Sequence, residues 1–118
     1  MSGLRDYAAA ATLADAGVTE IASYAGGRSR RVYFEHRDGG KIAARMFQTD
    51  IVVWDREGRA TVAIGGYNIL STFDGIAAAL GISRARVGMV KKVPYVNGAN
   101  LSDGSVVLDV VTGREVFA

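Results

Sequence analysis

Apolar and polar residues alternate with a period of two along residues 31–64, a pattern typical of strands with one buried face. The two faces of the first strand carry Val32, Phe34 and His36, and Tyr33, Glu35 and Arg37, respectively. Further strands are predicted at 41–47, 51–54 and 59–64, separated by turn sequences at 38–40 (Asp-Gly-Gly) and 55–58 (Asp-Arg-Glu-Gly). The pattern therefore predicts a four-stranded antiparallel meander.

Two other segments have the periodicity of helices. Residues 4–16 are rich in alanine and precede Gly17, which predicts an N-terminal helix that either packs on the sheet or forms a loosely attached arm. Residues 71–81 carry an apolar stripe suited to covering the sheet, formed by Phe73, Ile76, Ala77 and Leu80. Ser71 with Asp74 three residues later predicts a capping box at the start of this helix.

The remaining segments predict additional strands. Residues 18–24 read as a first strand, residues 84–93 as an extended segment ending at the edge-strand residue Pro94, and residues 105–111 as a strand rich in β-branched residues. Asn-Gly at 97–98 and Asp-Gly at 103–104 predict turns. We therefore predict one α+β domain over residues 1–118: an antiparallel sheet of five to seven strands, a central helix at 71–81 and an N-terminal helix at 4–16.

Composition excludes some chemistry and suggests association. The chain has no cysteine, which rules out thiolate catalysis, disulfides and zinc sites with cysteine ligands. We expect a protein of the bacterial cytoplasm without a signal peptide or membrane span. Hydrophobic residues make up 49% of this small chain and the mean hydropathy is +0.15, so we expect some apolar surface to face a partner or a second copy.

No pattern of catalytic or metal-binding residues is present in the sequence. His36 is the only histidine, and its place in a strand alternation favours a packed or edge position over the role of a base. There is no nucleophile elbow, no phosphate loop and no closely spaced acidic cluster. We therefore expect a protein that is not an enzyme, with no catalytic residues, no metal site and no cofactor.

Two basic clusters are the candidate binding residues. The first basic cluster consists of Arg28, Arg30, Arg31, Tyr33, Arg37, Lys41 and Arg45, and the second of Arg84, Arg86, Lys91 and Lys92. No acidic residue occurs between Asp74 and Asp103. Cations around an aromatic ring would bind a phosphate backbone and stack a base, or anchor a protein partner. The alternative for the first cluster is a solvated sheet face with cross-strand Glu–Arg pairs.

Residues 41–98 resemble a family of small proteins encoded by phages and other mobile elements. The shared features, in order, are Thr-Asp-Ile-Val at 49–52, Gly-Gly-Tyr at 65–67, Ser-Thr at 71–72 and Val-Pro-Tyr-Val-Asn-Gly at 93–98. This chain has Phe-Asp-Gly at 73–75 where the family carries basic residues, and Ala77 where it carries asparagine. The resemblance implies a mobile-element setting, in which small proteins bind and block host machinery.

The leading hypothesis is therefore a phage or mobile-element protein that inhibits a host factor by occlusion, without catalysis. The resemblance suggests a host protein or ribonucleoprotein complex as the target, such as a CRISPR effector in the defence of the host. The first alternative is a non-specific nucleic-acid-binding protein that uses the same surface. The second is a structural or assembly protein that acts as a homodimer or larger homo-oligomer.

Overall fold

A computed structural model describes residues 3–23, 29–65 and 70–117. Two short 3₁₀ helices, at Asp38–Gly40 and Arg84–Arg86, connect larger elements. In chain order those elements are α1 (Tyr7–Ala16), β1 (Thr19–Ser23), β2 (Ser29–Arg37), β3 (Lys41–Met46), β4 (Thr49–Trp54), β5 (Arg59–Ala63), α2 (Leu70–Leu80), β6 (Val87–Val90), β7 (Val93–Val96), β8 (Ala99–Asn100) and β9 (Ser105–Asp109). The predicted α+β class with an N-terminal and a central helix is confirmed.

The strand pairs within the described ranges are all antiparallel and form two sheets. Six strands form the larger sheet in the order β1-β2-β3-β4-β5-β9, which contains the predicted meander β2 to β5. Strands β6, β7 and β8 form a separate three-stranded sheet. The C-terminal segment lies along β9, where Glu115 bridges to Leu108 and the Val116 amide donates to the Val107 carbonyl at 2.8 Å.

Helix α1 packs on the six-stranded sheet and is held there by polar contacts at the sheet end. Ala10 is fully buried, and the Tyr7 hydroxyl donates to the Gly40 carbonyl at 2.7 Å. Before the helix, the Arg5 carbonyl accepts a 2.7 Å hydrogen bond from Nε1 of Trp54, which is itself fully buried in the core. The helix begins at Tyr7 rather than Leu4 because the Asp6 carboxylate caps it, accepting from the Ala9 amide.

Helix α2 lies between the two sheets. Its Gly75 faces the six-stranded sheet, where a Cβ would come within 2.5 Å of the Met46 sulfur and 3.1 Å of Ile51 Cδ1. Phe73, about 200° away around the helix, lies beside Val87 of the three-stranded sheet. The predicted apolar stripe is buried, as expected, but its Phe73 packs toward the second sheet. Both sheets contribute to one hydrophobic core.

Two local predictions are wrong. Residues 84–94 are not one extended edge segment, because the chain reverses at Lys91–Lys92 and Pro94 lies in β7, the middle strand of its sheet. Pro94 is tolerated because its backbone faces the side on which β8 has already ended at Asn100, and there its carbonyl accepts from the Leu101 amide. The capping box is also absent: α2 begins at Leu70, and Asp74 binds Arg84.

Candidate binding surfaces

The members of the first basic cluster whose side chains the structure describes lie on the face of the six-stranded sheet that points away from the core, namely Arg31, Tyr33, Arg37, Lys41 and Arg45. The register of β2 with β3 places Tyr33 opposite Arg45 and Arg37 opposite Lys41, as the alternation predicted. Arg31 lies on the same face of β2 and donates to the Thr19 hydroxyl at 3.1 Å. Arg28 is outside the described residues, and Arg30 is described only as a backbone position of β2.

Two arginines of this cluster are held in an ion-pair network that spans three strands. Arg45 binds Glu35 through both carboxylate oxygens, at 3.1 and 3.0 Å. Arg37 donates to Glu35 at 2.8 Å and binds Asp50 through two bonds of 3.0 and 2.8 Å. The Arg45 guanidinium also lies 4.8 Å from the centre of the Tyr33 ring and covers one face of it.

The network perturbs the acid–base equilibria of its members. Hydrogen bonds from Arg45 and then Arg37 lower the pKa of Glu35 from 4.5 to about 2. The carboxylates of Asp50 and Glu35 raise the pKa of Arg37. Arg37 and Arg45 therefore already have carboxylate partners, and a phosphate would have to displace them.

We expect the Glu35→Gln variant to lose part of the acid sensitivity of folding. A lowered folded-state pKa means that the Glu35 contribution is complete above pH 4.5 and is lost as the pH falls toward 2. Since the side chain is 35% exposed, solvent screening limits the contribution at neutral pH to about 1 kcal/mol. Chemical denaturation of wild type and variant at several pH values measures the difference, which should shrink between pH 4.5 and 2.

Glu57→Gln is the matched control, because Glu57 is exposed and forms no ion pair within the described part of the chain. It should leave the stability profile of the wild type unchanged over the same pH range. An equal effect of both substitutions would show that the network adds no specific stability.

In the second basic cluster, Arg84 has a structural role. It forms an ion pair with Asp74, donates through Nη1 to the Val87 carbonyl, and lies 5.6 Å from the centre of the Phe73 ring. The Asp74 side chain is only 5% exposed, and its Oδ2 is buried with no hydrogen-bond partner among the described residues. Removing Arg84 would therefore leave a buried carboxylate without a partner in that part of the chain.

The other cations of this cluster have no acidic partner among residues 3–23, 29–65 and 70–117. Arg86 is exposed and donates to Asn97 Oδ1 at 3.2 Å. Lys91 and Lys92 are exposed at the tip of the β6–β7 hairpin, with φ values of 51° and 68°. Positive φ at both central positions is typical of a type I′ turn, for which Asn-Gly is preferred, and it costs a lysine roughly 1–2 kcal/mol.

Exposed apolar residues surround the lysine tip. Met89, Val90 and Val93 are 40%, 59% and 39% exposed, although they lie in or next to strands. We call these three residues with Lys91 and Lys92 the hairpin surface. The sequence analysis predicted one extended segment here and did not single out these apolar residues, because no glycine or asparagine marked the turn.

The described side chains of the two basic clusters do not share a face, a question that the sequence left open. The first lies on the outer face of the six-stranded sheet, whereas the three-stranded sheet packs against α2 on the opposite side of that sheet. Helix α2 and the six-stranded sheet therefore lie between the three-stranded sheet and the face that carries Arg31, Arg37 and Arg45.

The described residues contain no group of three or more His, Asp or Glu side chains arranged to hold a metal ion. His36 lies at the end of the sheet with its Nε2 2.6 Å from Asp15 Oδ1, and both side chains are exposed. No helix in the described ranges is long and apolar enough to cross a membrane. Comparison of the chain with protein-family models, with curated proteins and with solved structures finds no match.

Proposed function

We propose that this chain is a non-catalytic binding protein of a phage or other mobile element, which binds a host protein and blocks it by occlusion. The hairpin surface is the contact that carries the proposal. It presents two lysines without acidic partners in the described ranges between exposed apolar side chains, on a turn held in place by an antiparallel pair. Apolar side chains that stay exposed and are bordered by charges match the apolar centre and polar rim of a protein interface.

The conformation of the turn strengthens the proposal. Lysine is a poor choice at both central positions of a type I′ turn, and Asn-Gly would form the same turn with less strain. The next hairpin of the same sheet does use Asn97-Gly98, with φ values of 49° and 87°. A strained turn that carries two exposed cations is best explained by a requirement for the side chains rather than for the fold.

Nucleic-acid binding is the less favoured interpretation of the surface. Sequence-independent binders need several cations along one groove, and the outer face of the large sheet has Arg37 and Arg45 already bound to carboxylates. One face of the Tyr33 ring is covered by Arg45, which leaves less of it for stacking on a base. At the hairpin, the exposed valines and Met89 would contribute little to a phosphate contact.

The test is capture of a partner from nuclease-treated host lysate with wild type and with Lys91→Asn/Lys92→Gly. We expect the wild type to retain a discrete host protein and the double variant to lose it. The same variant should unfold at higher denaturant, with a gain of about 1 kcal/mol, because Asn-Gly relieves the positive-φ strain. If the double variant loses the host protein but is more stable than the wild type, the loss of binding cannot result from unfolding.

The matched control removes two positive charges from the opposite side, as Arg31→Asn/Lys41→Asn. Capture should survive this change, because neither residue belongs to the hairpin surface. Equal loss in both variants would indicate a general charge effect and contradict the proposal. Loss of all bound material on nuclease treatment would favour nucleic-acid binding, and a defined oligomer in light scattering with no captured protein would favour the structural alternative.

A further inference from the structure

A groove lies at the base of the β6–β7 hairpin, between the start of α2 and β6. Its volume is about 330 Å³, at the lower end of the range for ligand sites. The groove is bounded by exposed and buried apolar side chains together with one guanidinium and one phenol, namely Leu70, Phe73, Val87, Met89, Arg84 and Tyr95. A space of this size and lining suits one large apolar side chain rather than a cofactor.

The lining is shaped by the absence of a side chain at Gly88. A Cβ there would lie 3.5 Å from the Tyr95 hydroxyl and 3.7 Å from Arg84 Nη1, which is ordinary contact distance. The backbone of Gly88 does not have a positive φ, so its conformation does not require glycine. Glycine therefore leaves open a space that most residues would partly fill.

Charge at the mouth of the groove selects the chemistry of the occupant. Residues 75–102 contain four cations and no acid, so that with the single carboxylate of Asp74 the net charge of this region is +3. Lys91 lies two positions after Met89 of the groove wall, about 7 Å along the chain. Arg84 bonds to Asp74 through Nε and to the Val87 carbonyl through Nη1, and neither of these two bonds involves its Nη2.

We infer that this groove binds an acidic segment of a partner protein, with one large apolar side chain between Leu70 and Met89 and neighbouring carboxylates on Lys91, Lys92 and Arg84 Nη2. The inference rests on the proposed function and specifies the chemistry of the partner. Two observations carry it together: an apolar slot with Leu70 66% exposed at its mouth, and an excess of positive charge beside it. Apolar contact gives affinity, and the charges give orientation and selectivity.

The probe is a set of short peptides in which leucine, phenylalanine or serine is flanked by aspartates and glutamates. Binding is followed by NMR of methionine methyl groups, because Met89 lines the groove whereas Met46 is 3% exposed in the core and serves as an internal reference. We expect the leucine and phenylalanine peptides to shift the Met89 methyl signal and to leave Met46 unchanged. Replacement by serine should weaken binding about tenfold or more.

Leu70→Asp is the variant that tests the groove. Leu70 is exposed and is the first residue of an 11-residue helix, where an aspartate is favoured by the helix dipole, so the fold should be retained. The added carboxylate should repel the acidic peptides and abolish the Met89 shift. Val111→Asp, at a residue that is 77% exposed and does not line the groove, is the matched control and should bind as the wild type does.

The outcomes distinguish the two proposals. Absence of a Met89 shift with both apolar peptides, or an equal shift with the serine peptide, would overturn the groove assignment. Capture of a host protein that depends on Lys91 and Lys92 but survives Leu70→Asp would overturn it as well, while leaving the proposed function intact. Peptide binding in the groove with no host protein captured would uphold the groove and contradict the proposed function.

Discussion

Replacing Gly75 with valine is expected to lower the free energy of unfolding by about 3 kcal/mol. A Cβ at this position would lie 2.5 Å from the Met46 sulfur and 3.1 Å from Ile51 Cδ1, and both side chains are buried in the core. Interiors are close-packed, so three added carbons must push α2 away from the six-stranded sheet. In a small domain such a loss is a large part of the total stability.

Urea denaturation followed by the fluorescence of Trp54, the only tryptophan and fully buried, measures this effect. Gly75→Ala should cost less than the valine change, because alanine gains about 1 kcal/mol of helix propensity over glycine against a smaller steric conflict. Met46→Ala introduced beside Gly75→Val should recover part of the loss by vacating the space of the sulfur. Wild-type stability of Gly75→Val would contradict the close approach of α2 to β3.

The fold could be predicted from the sequence where the residue types at the turns agree with the hydrophobic pattern of the strands. Asn97-Gly98 marked its turn in the sequence because this pair adopts positive φ easily, and the structure has 49° and 87° there. Lys91-Lys92 forms the same kind of turn without that signal, so the pattern indicated one long extended segment. The three-stranded sheet was missed for this reason, since its first hairpin depends on a residue pair that disfavours the turn.

The strand face on which each candidate side chain lies could be predicted from the sequence, whereas its ion-pair partner could not. The period of two correctly placed Tyr33, Arg37 and Arg45 on one face, because side chains of adjacent strands keep their alternation. Which cations are already bound depends on contacts distant in sequence, such as Arg37 with Asp50 and Arg84 with Asp74. The sequence pattern could not predict these pairs, because the first depends on strand register near a β-bulge at Ala44–Arg45 and the second on the three-stranded sheet, which was not predicted.

Replacing Arg84 with methionine is expected to lower the free energy of unfolding by about 3 kcal/mol. The Asp74 carboxylate is 5% exposed, one of its oxygens has no hydrogen-bond partner in the described ranges, and Arg84 supplies the bond to the other. Arg84 also donates to the Val87 carbonyl at the start of β6, so the three-stranded sheet loses a connection to α2. The measurement is again urea denaturation followed by Trp54 fluorescence.

The double variant Asp74→Leu/Arg84→Met tests whether stability requires the ion pair itself or only that Asp74 is not left unpaired. Only Asp74 of this pair is buried, since Arg84 is 40% exposed, and replacing the buried carboxylate together with its partner removes the unpaired charge, so we expect stability near that of the wild type. Arg86→Met is the matched control for the loss of one arginine: it removes only the 3.2 Å bond to Asn97 and should cost much less than Arg84→Met. A small effect of Arg84→Met alone would show that Asp74 is satisfied without it.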